Sequence, residues 1–554
     1  MIRPFWIIWA AFLTTHFSSV LAFWPLPRDV FTGTTPLRLS HRFYIDLSGI
    51  PGAPRDLKDA VERAEEYLRT DKLQILTPDR GASNADVISH AKTLHKLTLS
   101  LSNGVATPIS HEAIKHLESR AEGYSLTVPD DGGNAVLEAN STLGLFRGLT
   151  TFGQFWYDWQ GTTYTLQAPV NIVDAPKYPY RGLMLDTSRN YFPVSDIKRV
   201  LDAMSWVKLN TFHWHVVDAQ SFPLVVPGFE EVTQQGAYSA DLTYTPLDVQ
   251  DIIQYAAARG IDVIAEIDTP GHTSAIHKSY PDYIACPEAT PWSKFANEPP
   301  AGQLRVASPT ATKFTASLVS SAASLFHSKY FSTGGDEINM NCYNQDAQTQ
   351  AELAQQNKTF EQALSTFTQS IHLALREKGK TPVVWEEMVL SHNVTLQDDT
   401  LVMVWISSQD VQAVAQKGFK IVHAASDYFY LDCGAGGWLG NYVGNSWCDP
   451  FKTWQKSYSF DPTTNLTADQ SKLIMGGQHL LWTEQSGPSN LDPIIWPRAA
   501  SSAELWWSGP GGNNSEALPR LHRTSFRFLQ RGVQTIPLQP LWCALRPGAC
   551  DLNA

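Results

Sequence analysis

The run Ser332-Thr-Gly-Gly-Asp336-Glu337 sets two carboxyls directly behind two glycines, which let the backbone come close to whatever the acids act on. One of the pair should be a catalyst. A glycosidase of the ordinary retaining kind needs two carboxyls about 5–5.5 Å apart flanking the bond, and an inverting one about 6.5–9.5 Å. Neighbours on an extended strand point to opposite faces, so Asp336 and Glu337 are not expected to flank one bond in either way. Equivalent chemistry recurs along the chain. Short apolar runs end in Asp186, in His215 with Asp218, in Glu266 with Asp268, in Trp385 with Glu386 and Glu387, in Trp405, in Tyr430 with Asp432, and in Trp482 with Glu484. Any one such carboxylate, taken alone, reads as a helix cap or a solvated loop residue. A ring of them interleaved with Trp and Tyr reads as the lining of a sugar pocket, in which carboxylates take hydroxyls and aromatic faces cover ring C–H groups. His213-x-His215 suggests a metal site, but no third convergent His and no HExxH helix accompany it, so no metal is expected and both imidazoles are assigned to barrel packing and pocket support.

Eight strand-like runs must position these residues: Arg181–Asp186, Thr211–Asp218, Ile261–Asp268, Tyr330–Glu337, Thr381–Glu387, Leu401–Ser407, Lys420–Asp432 and Leu473–Glu484. Helical patterns intervene at Val194–Lys208, Pro246–Arg259, Thr312–Phe326, Thr359–Lys378 and Asp410–Lys417, with a further one at Ala499–Trp507. Eight β-then-α units predict an α/β fold, a (β/α)8 TIM barrel over residues 176–554, whose strand ends converge on one face. An open doubly wound sheet is the alternative. Neither G-x-G-x-x-G after a strand, nor a P-loop, nor a G-x-S-x-G elbow occurs, and no cofactor is expected. Residues 23–175 mix alternating strands such as Ser125–Val128 with helices at Leu57–Leu68 and Leu143–Trp156, which predicts a small α+β domain in front of the barrel. The linker between the two is assigned to Asp174–Pro179.

The chain has 554 residues, more than one compact unit usually holds, and its −12 formal charge lacks the positive field that nucleic acid requires. Residues 1–22 hold one charge, Arg3, an apolar run from Phe5 to Leu13, and small residues at a cleavage position after Ala22. They read as a secretory signal peptide rather than a membrane span. Five glycosylation sequons, at Asn140, Asn357, Asn393, Asn465 and Asn513, fit a secreted glycoprotein, with a lysosome-like or vacuolar compartment as the other destination. The six cysteines, Cys286, Cys342, Cys433, Cys448, Cys543 and Cys550, form no C-x-x-C pair and are expected as disulfide bonds. Fifteen pairings are open. Pairing in sequence order is the expectation, with Cys543–Cys550 closing a C-terminal tail.

Taken together, Arg181-Gly-Leu-Met-Leu-Asp-Thr-Ser-Arg-Asn-Tyr191, Phe212-His-Trp-His-Val-Val-Asp218, Glu266-Ile-Asp-Thr-Pro-Gly-His272, Gly334-Gly-Asp-Glu337 and Trp482-Thr-Glu484 resemble the family 20 β-N-acetylhexosaminidases, secreted fungal enzymes and lysosomal hexosaminidase subunits among them. The resemblance runs from about Phe23 to the C-terminus. It implies an exo-acting hydrolase of terminal β-linked N-acetylglucosamine, and of N-acetylgalactosamine, from chitin oligomers or glycoconjugates. It further implies Glu337 as general acid/base and Asp336 as the residue that orients a substrate acetamide, which itself serves as nucleophile through an oxazolinium intermediate. That route needs only one carboxyl beside the leaving group. By the same resemblance His272 and Asp218 form a relay behind Glu337. Arg181 and Glu484 hold the 3- and 4-hydroxyls, Asp432 the distal edge of the sugar and Tyr430 the acetamide oxygen, while Trp385, Trp405 and Trp482 wall the pocket. One departure is Ala219, where the family often has a second acid. The family commonly forms homodimers, so one is expected here. A catalytically dead, lectin-like protein is the competing function class, and the intact Asp336–Glu337 pair argues against it.

Overall fold

The computed structural model describes residues 21–553; most of the expected signal peptide, residues 1–20, lies outside them. Six strands, β1 (Asp29–Asp46), β2 (Lys92–Leu101), β3 (Tyr124–Val128), β4 (Ala135–Ala139), β5 (Tyr157–Trp159) and β6 (Thr162–Asp174), form one mixed sheet in the order β1-β2-β4-β3-β6-β5. The long β1 also pairs with β6, so the sheet curls. On it lie α1 (Arg55–Thr70), which buries Leu57, Ala60, Val61 and Leu68 at helical spacing, and α2 (Thr142–Phe152). A Cβ on Gly148 of α2 would lie 2.2 Å from Leu137 Cδ1 on β4, so the glycine is what lets this helix sit directly on the sheet.

The second unit is a closed parallel barrel of eight strands: β7 (Tyr180–Asp186), β8 (Thr211–Val217), β9 (Asp262–Ile267), β10 (Tyr330–Ser332), β11 (Thr381–Trp385), β12 (Leu401–Val404), β13 (Lys420–His423) and β14 (Ile474–Leu481). All eight expected runs are present, and the ring closes between β14 and β7. These strands are buried on both faces, which is why they read as apolar runs rather than alternating ones. Outer helices include α3 (Val194–Trp206), α4 (Pro246–Ala257), α5 (Pro309–Ala323), α6 (Phe360–Glu377), α7 (Val411–Gln416) and α8 (Arg498–Ser508), followed by α9 (Asn514–Gln530). Thr245 with Asp248 and Thr359 with Gln362 make capping boxes that fix where α4 and α6 begin.

Seven of the eight strands stop short of their expected runs, the fourth and the seventh by the most. The fourth ends at Ser332, because Gly334 (φ 63°), Gly335 (φ 105°) and Glu337 (φ 54°) turn the chain through left-handed conformations. The seventh ends at His423 and gives way to a short helix, Ser426–Phe429, before Tyr430 bridges back to Leu480.

The proposed linker is no loose tether. Asp174 is buried, accepts from Lys208 Nζ at 3.1 Å and Trp507 Nε1 at 3.0 Å, and is held below the usual carboxylate range because the Lys208 charge outweighs its burial. The disulfides are Cys286–Cys342, Cys433–Cys448 and Cys543–Cys550, in sequence order as expected. All five sequon asparagines are exposed. No helix among the described residues is long and apolar enough to cross a membrane.

Candidate active site

The strand ends converge on a cavity of about 650 Å3 at the C-terminal face of the barrel. At its base a chain of alternating acids and imidazoles runs inward from Glu337. His272 Nε2 lies 3.4 Å from Glu337 Oε2 and 3.8 Å from Asp336 Oδ2, and its Nδ1 lies 2.9 Å from Asp218 Oδ1. Asp218 Oδ2 is 2.7 Å from His215 Nε2, whose Nδ1 meets Glu266 at 2.5 Å. Glu266 also engages His213 at 3.1 Å and the Ser332 hydroxyl. His213 and His215 are therefore fully buried supports of this chain, as their place on β8 foretold.

Charge follows from these contacts. Burial opposes charging of His272, but Asp218, Asp268 and Asp336 outweigh it and hold the imidazole protonated well above its ordinary range. His215, between two carboxylates, is likewise pushed up to about 10 despite its burial. Glu337 is raised by burial and lowered more by the adjacent His272 and Arg189 cations, so it sits below the usual range. Asp336 moves the other way. Burial, then the Asp268 charge, raise its carboxyl strongly, while Asp268 is itself pushed up to about 7 by burial. Asp336 Oδ1 and Asp268 Oδ2 are both buried without a hydrogen-bond partner among the described residues.

The left-handed turn is what brings Asp336 and Glu337 together. On an extended strand they would face apart; after Gly334 and Gly335 both reach His272. Gly335 N donates to Asp268 Oδ1 at 2.8 Å, and a Cβ on Gly334 would lie 1.9 Å from that oxygen, so the turn and the second acid fit only with glycine there.

Arg181 is not at this site. It is the second residue of β7, at the N-terminal end, and its guanidinium pairs with Glu122 of the small domain at 2.5 Å and with the carbonyls of Lys208 and Tyr178. Five residues of strand, about 16 Å, separate it from Asp186. The arginine in the pocket is Arg189, in the loop that follows β7. Its Nη1 is 3.3 Å from Asp186 and 3.8 Å from Glu484, its Nη2 is 3.0 Å from Asp218 and 3.1 Å from Glu298, and it lies 5.0 Å over the Trp482 ring. Arg189 stands in the same Arg181–Tyr191 motif, and its position beyond the strand end was the available signal. Glu298, between α4 and α5 in the chain, had no signal of its own; neither did Trp438 and Trp447, which line the cavity from the loop closed by Cys433–Cys448.

Trp405, Tyr430 and Trp482 line the cavity, whereas Trp385, expected as a third wall, is buried behind Trp482 and does not reach the lining. Trp405 stacks on Tyr430 at 6.3 Å, Trp447 stands edge-on to both, and Trp482 faces Tyr430 and the buried Trp385, each at 6.3 Å. Trp405 Nε1 donates to Glu387 and its backbone N to Glu386. Burial, then neighbouring carboxylates, push these acids up to about 8 and about 9, which keeps them neutral beside the pocket. Asp432 is pushed up to about 7 by burial, and burial raises Glu484 strongly in spite of Arg189. His215, Glu266 and Asp268, or Asp268, His272 and Asp336, lie close enough to share an ion. Both nitrogens of His215 are already spent on carboxylates, however, so the first set has no free imidazole to offer.

A convergent, acid-rich and aromatic pocket on a (β/α)8 barrel is the equipment of a glycoside hydrolase. Residues 178–510 match the catalytic domain of glycosyl hydrolase family 20, residues 23–155 match the "beta-acetyl hexosaminidase like" domain, and the chain belongs to that family. It is 34% identical over 455 residues to a beta-hexosaminidase of Arthroderma benhamiae, covering 78% of this chain and 74% of the relative. It is also 34% identical over 466 residues to a chitooligosaccharidolytic beta-N-acetylglucosaminidase of Bombyx mori, covering 80% and 76%. Among solved structures, the chitobiase of Flavobacterium johnsoniae superposes with a TM-score of 0.73 at 25% identity, over 93% of this chain and 73% of that one.

Proposed function

We propose that this protein is an exo-acting β-N-acetylhexosaminidase that removes terminal, non-reducing N-acetylglucosamine, and N-acetylgalactosamine, with retention and with the substrate's own acetamide as nucleophile. The observation that carries the reading is the meeting of Asp336 and Glu337 at His272 on the floor of the cavity at the C-terminal face of the barrel. In this reading Glu337 protonates the departing glycosidic oxygen as the acetamide carbonyl oxygen attacks the anomeric carbon. The C–O bond breaks, and a bicyclic oxazolinium forms with positive charge on its nitrogen. Asp336, ionised, faces that N–H. Water then opens the ring while Glu337 takes its proton, which restores the starting configuration.

His272 is held protonated well above its ordinary range, one step from Glu337, and Asp336 is held above the usual carboxylate range. A sugar that covers Glu337 adds to the burial already raising its carboxyl, so the proton passes from His272 to Glu337. Asp218, His215 and Glu266 hold that imidazole in place. Arg189 takes the part assigned to Arg181: with Glu484 it holds the 3- and 4-hydroxyls, and Asp432 takes the distal edge. Tyr430 meets the acetamide oxygen, between walls of Trp405 and Trp482. The expected signal peptide and the five exposed sequons support a secreted glycoprotein that works on chitin oligomers or glycoconjugates outside the cytosol. A homodimer rests on the family resemblance.

Aryl β-glycosides that differ only at C2 and C4 test the proposal. The 2-acetamido substrates should turn over, the 2-hydroxyl glucoside should be almost inert, and a thiazoline mimic of the cyclised intermediate should bind far more tightly than N-acetylglucosamine. Rapid cleavage of the glucoside, or a trapped covalent sugar–protein bond, overturns the mechanism.

A further inference from the structure

A second cavity, of about 860 Å3 and open to solvent, lies between the small domain and the N-terminal side of the barrel, walled by α1, α2, α3 and α9. Asp202, Ser205 and Trp206 enter it from the C-terminal end of α3, and Arg259 from the turn before β9, so it opens at the barrel face opposite the sugar pocket. One wall is apolar: Leu68, Phe146, Leu149, Phe152, Trp206 and Phe528.

The other wall is cationic. Arg63, Arg259, Arg523, Arg527 and Arg531 reach the cavity, and the nearby carboxylates are Asp202 on its lining, Asp71 beside Arg527 and Arg531, and Asp59, which with Asp202 acts on Arg63 through its charge. Asp71 is consumed by Arg527 at 3.1 Å and by Arg531 at 2.6 Å. Asp202 is consumed by the Arg259 side chain and by the Tyr255 hydroxyl at 2.8 Å. Arg63 is left over. Its Nη2 is buried with no hydrogen-bond partner among the described residues. Burial, then the charge of Arg259, hold its guanidinium below the ordinary range, as a cation desolvated beside another cation must be. Such a group calls for an anion, and the facing wall calls for a hydrocarbon.

Among the described residues no carboxylate comes within ion-pair distance of Arg63; Asp202 and Asp59 act on it only from farther away. Ala22 lines the cavity and the Leu21 carbonyl accepts from Arg523 at 2.9 Å, yet residues 1–20 contain no Asp or Glu. Cleavage after Ala22 would take away its methyl and open the cavity further.

We propose that this interdomain cavity is a binding site for a small amphipathic carboxylate of the fatty-acid type, its head paired with Arg63 and its tail against Phe146, Leu149, Phe152 and Trp206. Because the ligand bridges the small domain (α1, α2) and the barrel (α3), its binding clamps the two together and stabilises the fold without entering the sugar pocket.

The test uses the full protein and sodium dodecanoate below its micelle concentration. Dodecyltrimethylammonium serves as a tail with the wrong charge and sodium sulfate as an anion with no tail. Calorimetric titration should show one dodecanoate per chain and a raised melting temperature, with neither control binding comparably. Arg63→Gln should weaken dodecanoate about tenfold or more, Arg63→Lys should recover part of that, and Ala64→Trp, which fills the cavity, should abolish binding. Turnover of an aryl N-acetylglucosaminide should be unchanged in all three, which checks folding. The proposal fails if dodecanoate does not bind, if Arg63→Gln leaves its affinity unaltered, if sulfate binds as well as dodecanoate, or if dodecanoate competes with the glycoside substrate. The first three outcomes leave the hydrolase reading standing.

Discussion

Glu337, the proposed acid, adopts a left-handed backbone conformation that costs a non-glycine residue about 1–3 kcal/mol. What that strain secures is a carboxyl 3.4 Å from His272, at the end of a buried chain of proton carriers. Glu337→Gln should slow hydrolysis of natural oligosaccharides by about 10²–10⁴-fold and that of aryl glycosides with good leaving groups far less, because only poor leaving groups depend on the proton; steady-state kinetics on both substrate types checks it, and equal losses would remove the acid assignment. Asp268 has a separate effect through charge. Burial and then its negative charge raise Asp336. Asp268→Asn removes that charge and supplies an amide N–H, so the folded-state range of Asp336 falls. The acidic limb of kcat/KM, where Asp336 becomes protonated and unable to face a positive nitrogen, should move to lower pH, which a pH–rate profile would show.

Among the elements, the turn after β10 carries the site. Gly334→Ala would put a methyl within 1.9 Å of Asp268 Oδ1 at a φ of 63°, so either Asp268 or the catalytic pair must shift. A displacement on the order of 1 Å can cost about 10²-fold. We expect kcat to fall by that order while circular dichroism stays native. The loop from Cys433 to Cys448 is the other decisive element, since it hangs Trp438 and Trp447 over the cavity by one short disulfide loop. Replacing both cysteines with serine should lower stability by about 3 kcal/mol, the chain-entropy value for a loop of this length, and raise KM more than it lowers kcat. Denaturant titration and kinetics would separate the two effects.

On the scale of the whole molecule, the small domain is bolted to the barrel floor by buried charge. Glu122 accepts from Arg147 at 2.8 Å and from Arg181 at 2.5 Å, all three fully buried. Burial opposes its ionisation, but the two arginines win and hold its carboxyl down to about 2, against an ordinary 4.5. The folded value is the lower one, so this stabilisation is present above pH 4.5 and is lost as the pH falls towards 2. Glu122→Gln would leave two buried cations short of a partner and should cost about 3–5 kcal/mol at neutral pH. Denaturant midpoints at a series of pH values should show that deficit closing between pH 4.5 and 2, where the wild-type carboxyl also becomes neutral.

How much of this was legible depended on how local each signal was. Apolar runs buried on both faces announce barrel strands by composition alone, and acids or aromatics that end them mark the pocket because strand ends must converge in a closed ring. Glu337, Asp336, Asp218, Tyr430, Asp432 and Glu484 were readable on that basis, whereas His272 lies beyond its strand end and was named only through the family resemblance. The disulfides follow sequence order as expected, but only Cys433–Cys448 and Cys543–Cys550 close short loops; Cys286–Cys342 spans 56 residues and its pairing was set by the fold. Register along a strand and direction through a turn are tertiary quantities. Arg181 and Arg189 share one motif, yet only closure of the barrel sends the first to the floor, against Glu122, and the second to the pocket. Asp336 and Glu337 were expected to point apart, and only the packing of Gly334 and Gly335 against Asp268 and Met388 turns them to one histidine. Glu298 and Trp447 entered the site from loops whose sequence carries no period, because their place is set by what they touch rather than by what precedes them.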